Sequence, residues 1–225
     1  MNRKNLSYAI VAFAIVFAAC TKDNYKSPAS VIKGRVVYQG QPVGVRSNGV
    51  QLELWQHGYQ LFSKIPVYVD QDGSFSAAVF DGDYKLVQLK GNGPWVDKTD
   101  SIDVQVRGES VIDVPVTPYF TITNEAFTKS GTSITATGKV TKISTNAIER
   151  VTLYVGTTAI VDANNNSTKL DKTGTAVADL TQPLSFSLTL PANLSARDFV
   201  FVRLGVKTAG IGEMAYTKAQ QLQLK

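Results

Sequence analysis

Histidine and cysteine are almost missing from this 225-residue chain: each occurs once, as His57 and Cys20. Ser-His-Asp and Cys-His mechanisms need a histidine base, so such chemistry would rest on His57, and nothing marks a partner serine for it. Zinc sites built on several histidine or cysteine ligands are excluded on the same count. The 18 acidic residues leave carboxylate pairs formally available for glycosidase chemistry, but any chain with that many acids contains such pairs. The residues therefore read as a non-enzyme with no cofactor and no metal. A concentrated positive charge is lacking too. The formal net charge of +5 includes Arg3 and Lys4, and without that head it falls to +3, scattered along the chain. Nucleic-acid binders carry a basic patch or stripe, so nucleic acid is not an expected partner.

Long apolar runs are equally scarce. The main one, Tyr8 to Ala19, would span about 18 Å as a helix, short of the roughly 30 Å hydrocarbon layer of a bilayer. A positive head, an apolar middle and small residues at its end make residues 1–19 a signal peptide. Phe17-Ala18-Ala19-Cys20 resembles the bacterial lipobox, with Phe17 in place of the commoner leucine. The expectation is cleavage before Cys20 and acylation of its thiol, which makes the outer membrane a partner through lipid. A lone cysteine suits that better than a disulfide, which needs a second one. Each buried methylene of an acyl chain adds about 0.8 kcal/mol, and more than one chain makes anchoring stable. Lys22 and Asp23 follow at once and resemble the surface-export signal of Bacteroidetes lipoproteins. The expected location is the outer membrane, facing the cell exterior.

What the chain does have is valine, threonine and period-two alternation, the signature of strands. Residues 20–30 read as a polar tether, 31–117 as one β-sandwich and 118–225 as a second, with Pro115 and Pro118 bracketing the junction. In the first unit Val50, Leu52 and Leu54 alternate with polar residues, and Asp70-Gln71-Asp72-Gly73 and Asp81-Gly82 punctuate later strands as hairpin turns. In the second, Leu184 to Leu190 alternates most cleanly, and six or seven strands suggest an immunoglobulin- or fibronectin-like sandwich without its cysteine pair. Residues 162–180 read as one long polar loop, either functional or disordered. Asp162 and the asparagines after it are weak candidates for cation ligands, and Asp70 to Gly73 needs only a turn to explain it. Asp100-Ser101-Ile102 resembles the O-glycosylation motif of Bacteroidetes secreted proteins, with Ser101 as the acceptor.

The aromatic residues carry most of the functional signal. If Val50, Leu52 and Leu54 face the core, Trp55 faces the other way; the same alternation sends Tyr68 and Phe80 outward. Tyr59 and Trp95 lie in flanking loops beside His57 and a Gly-Asn-Gly-Pro run. Trp55, His57, Tyr59, Tyr68 and Trp95 thus form a candidate ligand or partner surface. Three explanations stand side by side: packing against the second domain or under loops, a protein partner, or a platform for sugar rings. Trp55 is expected at the domain interface. Trp95, in a Gly-Pro loop with no strand to pin it, is expected to be exposed.

The segments "GRVVYQGQPV" through "QDGSFSAAVFDGDYKL" resemble the transthyretin-like or carboxypeptidase-regulatory-like sandwich. More narrowly, "LWQHGY", "VDQDGSFSAAVFDGDYKLV" and "VPVTPYFTI" are similar to a two-domain family of Bacteroidetes lipoproteins of unknown function. Members of that family are typically encoded beside SusC/SusD-like outer-membrane importers. The resemblance implies an accessory role in nutrient uptake, with a SusC/SusD-like transporter and a glycan or peptide as partners. A structural or adhesive surface protein and a direct glycan-binding module are the alternatives.

Overall fold

Val50, Leu52 and Leu54 are fully buried while Gln51 and Trp55 are not, so strand β3 (Val50–Trp55) has one dry face and one wet one. A computed structural model describes residues 26–58 and 62–225, and this alternation builds most of it. The N-terminal unit contains β1 (Ser30–Tyr38), β2 (Gln41–Pro42), β3, β4 (Ile65–Val69), β5 (Ser74–Val79), β6 (Gly82–Gln88), β7 (Ile102–Val106) and β8 (Glu109–Pro115). One leaflet is β8-β1-β5, with β1 and β8 parallel; the other is β4-β3-β6-β7. The leaflets meet where β4 and β5 share the single register pair Val69↔Phe75. The turn there has Gly73 at φ 87°, and a Cβ at that position would lie 2.6 Å from the Val43 carbonyl oxygen. Both the conformation and the close approach call for glycine. Between the leaflets lie Ile32, Val36, Leu52, Leu54, Phe75 and Leu86, among others, each contributing roughly 1.5–3 kcal/mol by leaving water.

The C-terminal unit is a second sandwich. Its smaller sheet is β13-β10-β9, from β9 (Phe120–Ser130), β10 (Ser133–Lys142) and β13 (Leu184–Thr189). Its larger sheet holds β11 (Ile148–Gly156), β12 (Thr168–Thr173), β14 (Phe199–Thr208), β15 (Met214–Tyr216) and β16 (Gln220–Gln223), the last two sharing one edge of β14. A short helix, α1 (Ala192–Ser195), buries Leu194 at one end. The two consecutive β-sandwiches are the fold that the sequence implies.

Two local expectations fail. Phe80 and Asp81 do not close a hairpin, because β5 pairs with β1 and β4 whereas β6 pairs with β3 and β7. The Asp81 carboxylate instead accepts from the Ser30 hydroxyl at 2.6 Å and from Gly108 N–H at 3.0 Å, tying the crossover to the neighbouring strand ends. Residues 162–180 are not one long loop either. They contain strand β12 and a 3₁₀ turn, Gly174–Val177. The alternation in β12 is carried by Thr168, Leu170 and Lys172 at a half-buried edge, too polar a set to register as a strand by apolar periodicity.

The domains meet through polar groups that solvent does not reach. Arg203 and Asp162 are both fully buried. Arg203 donates through Nε to the Thr217 carbonyl at 2.6 Å and through Nη1 to the Val161 carbonyl at 3.1 Å. Through Nη2 it reaches across to the Gln71 carbonyl of the N-terminal domain, and its guanidinium lies 4.4 Å from the Tyr216 ring centroid. Burial pulls its pKa down to about 10, so the charge survives at neutral pH. Asp162 accepts from the backbone N–H of Asn164 and Asn165 at 2.9 Å, and from Ser47 N–H of the other domain at 3.2 Å. Arg46 and Glu213 add a two-pronged ion pair across the junction, 2.6 and 3.1 Å. Gly44, whose Cβ would strike the Tyr216 carbonyl oxygen at 2.5 Å, lets the two backbones touch.

Candidate functional site

The outer face of the β4-β3-β6-β7 leaflet is where sequence-derived candidates come together. Alternation places Gln51, Glu53 and Trp55 on this face. Register adds Tyr68 opposite Gln51, Pro66 opposite Glu53 and Lys85 opposite Trp55. Tyr68 is 48% exposed, and Phe62, just before β4, is 50% exposed. Phe62 organises the aromatic end of the face. Its ring centroid is 5.0 Å from that of Trp55 and 4.6 Å from that of His57, with the latter pair stacked at 30°. The Trp55 indole is fixed from below, since Nε1–H donates to Glu53 Oε2 at 3.1 Å. Glu53 itself is largely buried and pairs through Oε1 with Lys64 at 2.6 Å. Beyond His57 the surface sinks into a cleft of about 600 Å³ lined by His57, Asp83, Tyr84, Lys85, Asp103 and Gln105. Rings at one end and hydrogen-bonding groups beside them can hold a ligand that is apolar on one face and hydroxylated at its rim.

Trp95 is not part of this surface. It is 2% exposed and belongs to the N-terminal core. The Gly-Pro loop is pinned after all, though not by a flanking strand. Trp95 forms a β-bridge with Pro118, Val96 N–H donates to the Thr117 carbonyl, and Tyr119 N–H donates to the Pro94 carbonyl. The interdomain linker is the missing partner: its backbone holds the loop while the Trp95 ring joins the N-terminal core. Trp55, conversely, is not at the domain interface; it is half-buried among groups of its own domain, Glu53 and Phe62. His57 and Ser101 are exposed. Cys20, Lys22, Asp23 and Tyr59 lie outside the described residues. Period-two alternation orients only residues within strands, and Phe62 precedes one, so the sequence carries no signal for its direction.

The sequence profile of the DUF3823 N-terminal domain, described as a protein of unknown function, matches residues 30–117, and the DUF3823 C-terminal domain profile matches residues 120–221. The chain belongs to the DUF3823 family. A DUF3823 structure from Bacteroides ovatus is 37% identical with a TM-score of 0.82, covering 87% of this chain and 100% of its own. One from Parabacteroides merdae is 33% identical with a TM-score of 0.81, covering 88% and 100%. A third, from Bacteroides uniformis, described as a candidate carbohydrate-binding protein, shares the fold at 20% identity and a TM-score of 0.71, covering 88% and 100%. Curated proteins offer no match.

Asp162 and the Asp70–Gly73 turn of this DUF3823 chain also invite a ligand and are better explained from within. Asp162 and its asparagines do not form a cation site: the carboxylate is occupied by backbone N–H donors from its own turn and from Ser47. Likewise Asp72 Oδ1 accepts from Ser74 N–H at 3.0 Å and from the Ser74 hydroxyl at 2.7 Å, which closes the turn and holds the Asp72 pKa below the usual carboxylate range. Among the described residues no group of three or more His, Cys, Asp or Glu could hold a metal ion. A cleft of about 210 Å³ at the domain junction, lined by Tyr38, Pro42, Val43, Phe120, Ile122 and Tyr216, is narrower. Tyr216 there already pairs its backbone with Gly44.

Proposed function

We propose that this protein is a non-catalytic carbohydrate-binding lipoprotein of the outer-membrane surface, serving a SusC/SusD-like importer. The observation that carries the binding part is the Trp55–Phe62–His57 ring cluster beside a polar cleft of about 600 Å³. Exposed aromatic faces are negatively polarised and attract the C–H face of a sugar ring, while flanking carboxylates, amides and amines meet its hydroxyls. The description of the Bacteroides uniformis protein supports the same reading. The address rests on Cys20, Lys22 and Asp23, and the importer on the family resemblance read from the sequence.

Glycan-array screening of the mature chain carrying Cys20→Ser tests the binding part. Binding is expected, and Trp55→Ala or Phe62→Ala should weaken it by more than 1 kcal/mol, as for interface hot spots. An array that stays blank for the unaltered surface overturns it. For the address, Cys20→Ser should leave the membrane fraction or remain unprocessed, and a cleaved serine variant that stayed membrane-bound would refute lipid anchoring. Pull-down from native outer membranes tests the importer; repeated recovery without a transporter component rejects it.

A further inference from the structure

Resting on the carbohydrate reading, we infer that the outer face takes a neutral oligosaccharide of three or more linked rings, laid along β3 and β4 from the Trp55–Phe62 pair to Tyr68. Two observations carry this, one of length and one of charge.

The length follows from register. Tyr68 stands opposite Gln51, four residues from Trp55 on the same face of β3. At about 3.3 Å per strand residue the two rings are separated by roughly 13 Å. A single sugar ring covers one of them and leaves the other in water; an oligomer can rest on both. Between them the face is low, formed by the Glu53↔Pro66 pair. The Nε1–H bond from Trp55 to the largely buried Glu53 fixes the indole before any ligand arrives, which lowers the ordering cost of binding.

The cations Lys64, Lys85 and Arg107 of this leaflet are already matched: Lys64 with Glu53 at 2.6 Å, Lys85 with Asp103, and Arg107 with Asp83 at 3.6 Å. Gln105 Nε2 also donates to Asp83 at 3.2 Å. Three cations against three carboxylates leave no net positive field. A carboxylated or sulfated sugar would have to displace a carboxylate from its lysine or arginine and then sit beside it, a like-charge juxtaposition. Beyond the Trp55–Phe62 end, on the side away from Tyr68, a further neutral ring can donate its hydroxyls to Asp83 and Asp103 and accept from Gln105 without disturbing the pairs.

The test is calorimetric titration of the mature Cys20→Ser chain with oligosaccharides of one to six rings. Neutral glucan, xylan and mannan series are set against oligogalacturonate and heparin fragments. A neutral series should gain at least about tenfold in affinity between one ring and four, then level off. Tyr68→Ala should weaken the tetramer about fivefold or more and leave the single ring unaffected, since one ring reaches only one end of the face. Tighter binding of an anionic series, affinity independent of length, or indifference to Tyr68→Ala would each overturn the inference while the carbohydrate reading stood. Absence of binding to every sugar would overturn both.

Discussion

At the domain junction a guanidinium and a carboxylate are sealed from solvent, while on the outer face of the N-terminal sandwich Phe62 and Tyr68 stand half in water. Both regions invert the rule that polar groups face out and apolar groups face in, and they do so with opposite consequences. Arg203 and Asp162 find every partner within the chain: carbonyls, backbone N–H groups and one tyrosine ring. That inversion is complete in itself and holds two domains together. On the outer face Phe62 packs on Trp55 and His57, yet Phe62 and Tyr68 each keep about half their surface in water, where a ligand can cover them. A buried exception therefore points to architecture, and an exposed one to binding.

The contrast breaks most directly at Arg203. Arg203→Ala leaves the Gln71, Val161 and Thr217 carbonyls without their donor and Asp162 without its nearby cation. It should cost about 3–5 kcal/mol in urea unfolding, the range for stripping one partner from a buried charged network. A loss under about 1 kcal/mol would show that the junction is not a structural unit. Alkaline titration sharpens the point. Burial raises the pKa of Tyr216 above its ordinary 10, so the stability it confers is present below pH 10 and lost as the unfolded chain begins to ionise above it. Arg203 works the other way: its burial penalty is full below about 10 and is relieved above it, as the folded form releases its proton before the unfolded one does. Arg203→Met removes the opposing gain, so its stability should fall more steeply than that of the wild type between pH 10 and 12, followed by urea midpoints.

The two tryptophans provide the next test. Trp95→Ala should cost about 3–5 kcal/mol, as for a truncated core aromatic, whereas Trp55→Ala should cost about 1 kcal/mol or less. Equal losses would remove the distinction between core and surface drawn here. The smallest effect belongs to an exposed pair: Lys33→Ala, which breaks the 2.7 Å contact with Glu109 between half-exposed side chains, should change stability by less than about 1 kcal/mol.

The all-β architecture was legible because alternation is a local signal, and β3 and β13 display it without help from the rest of the chain. Strand β12 was not, since its edge position lets Thr168 and Lys172 replace the apolar residues that periodicity looks for. The outward direction of Tyr68 and Trp55 could be read from neighbours two residues away. What covers a ring could not. The Trp95 backbone bridges to Pro118, more than twenty residues later, while its ring joins the N-terminal core, and Trp55 meets Phe62 across a connection that no alternation rule describes. The Arg203–Gln71 contact spans 132 positions, and nothing around either residue announces it.

The parallel pairing of β1 with β8 has a mechanical consequence. The chain enters the N-terminal domain at Ser30 and leaves at Pro115, and these strands run side by side in the same direction, from Val31↔Glu109 to Val37↔Pro115. The chain ends of the domain, before Val31 and after Pro115, therefore lie at opposite poles, separated by roughly 20 Å of strand. Tension between them acts along the strands, so the ladder of hydrogen bonds between β1 and β8 is sheared all at once and not peeled one bond at a time. A single-molecule pull from residue 26 to residue 225 should meet its first large resistance there, and the domain would be strongest when loaded between its two chain ends.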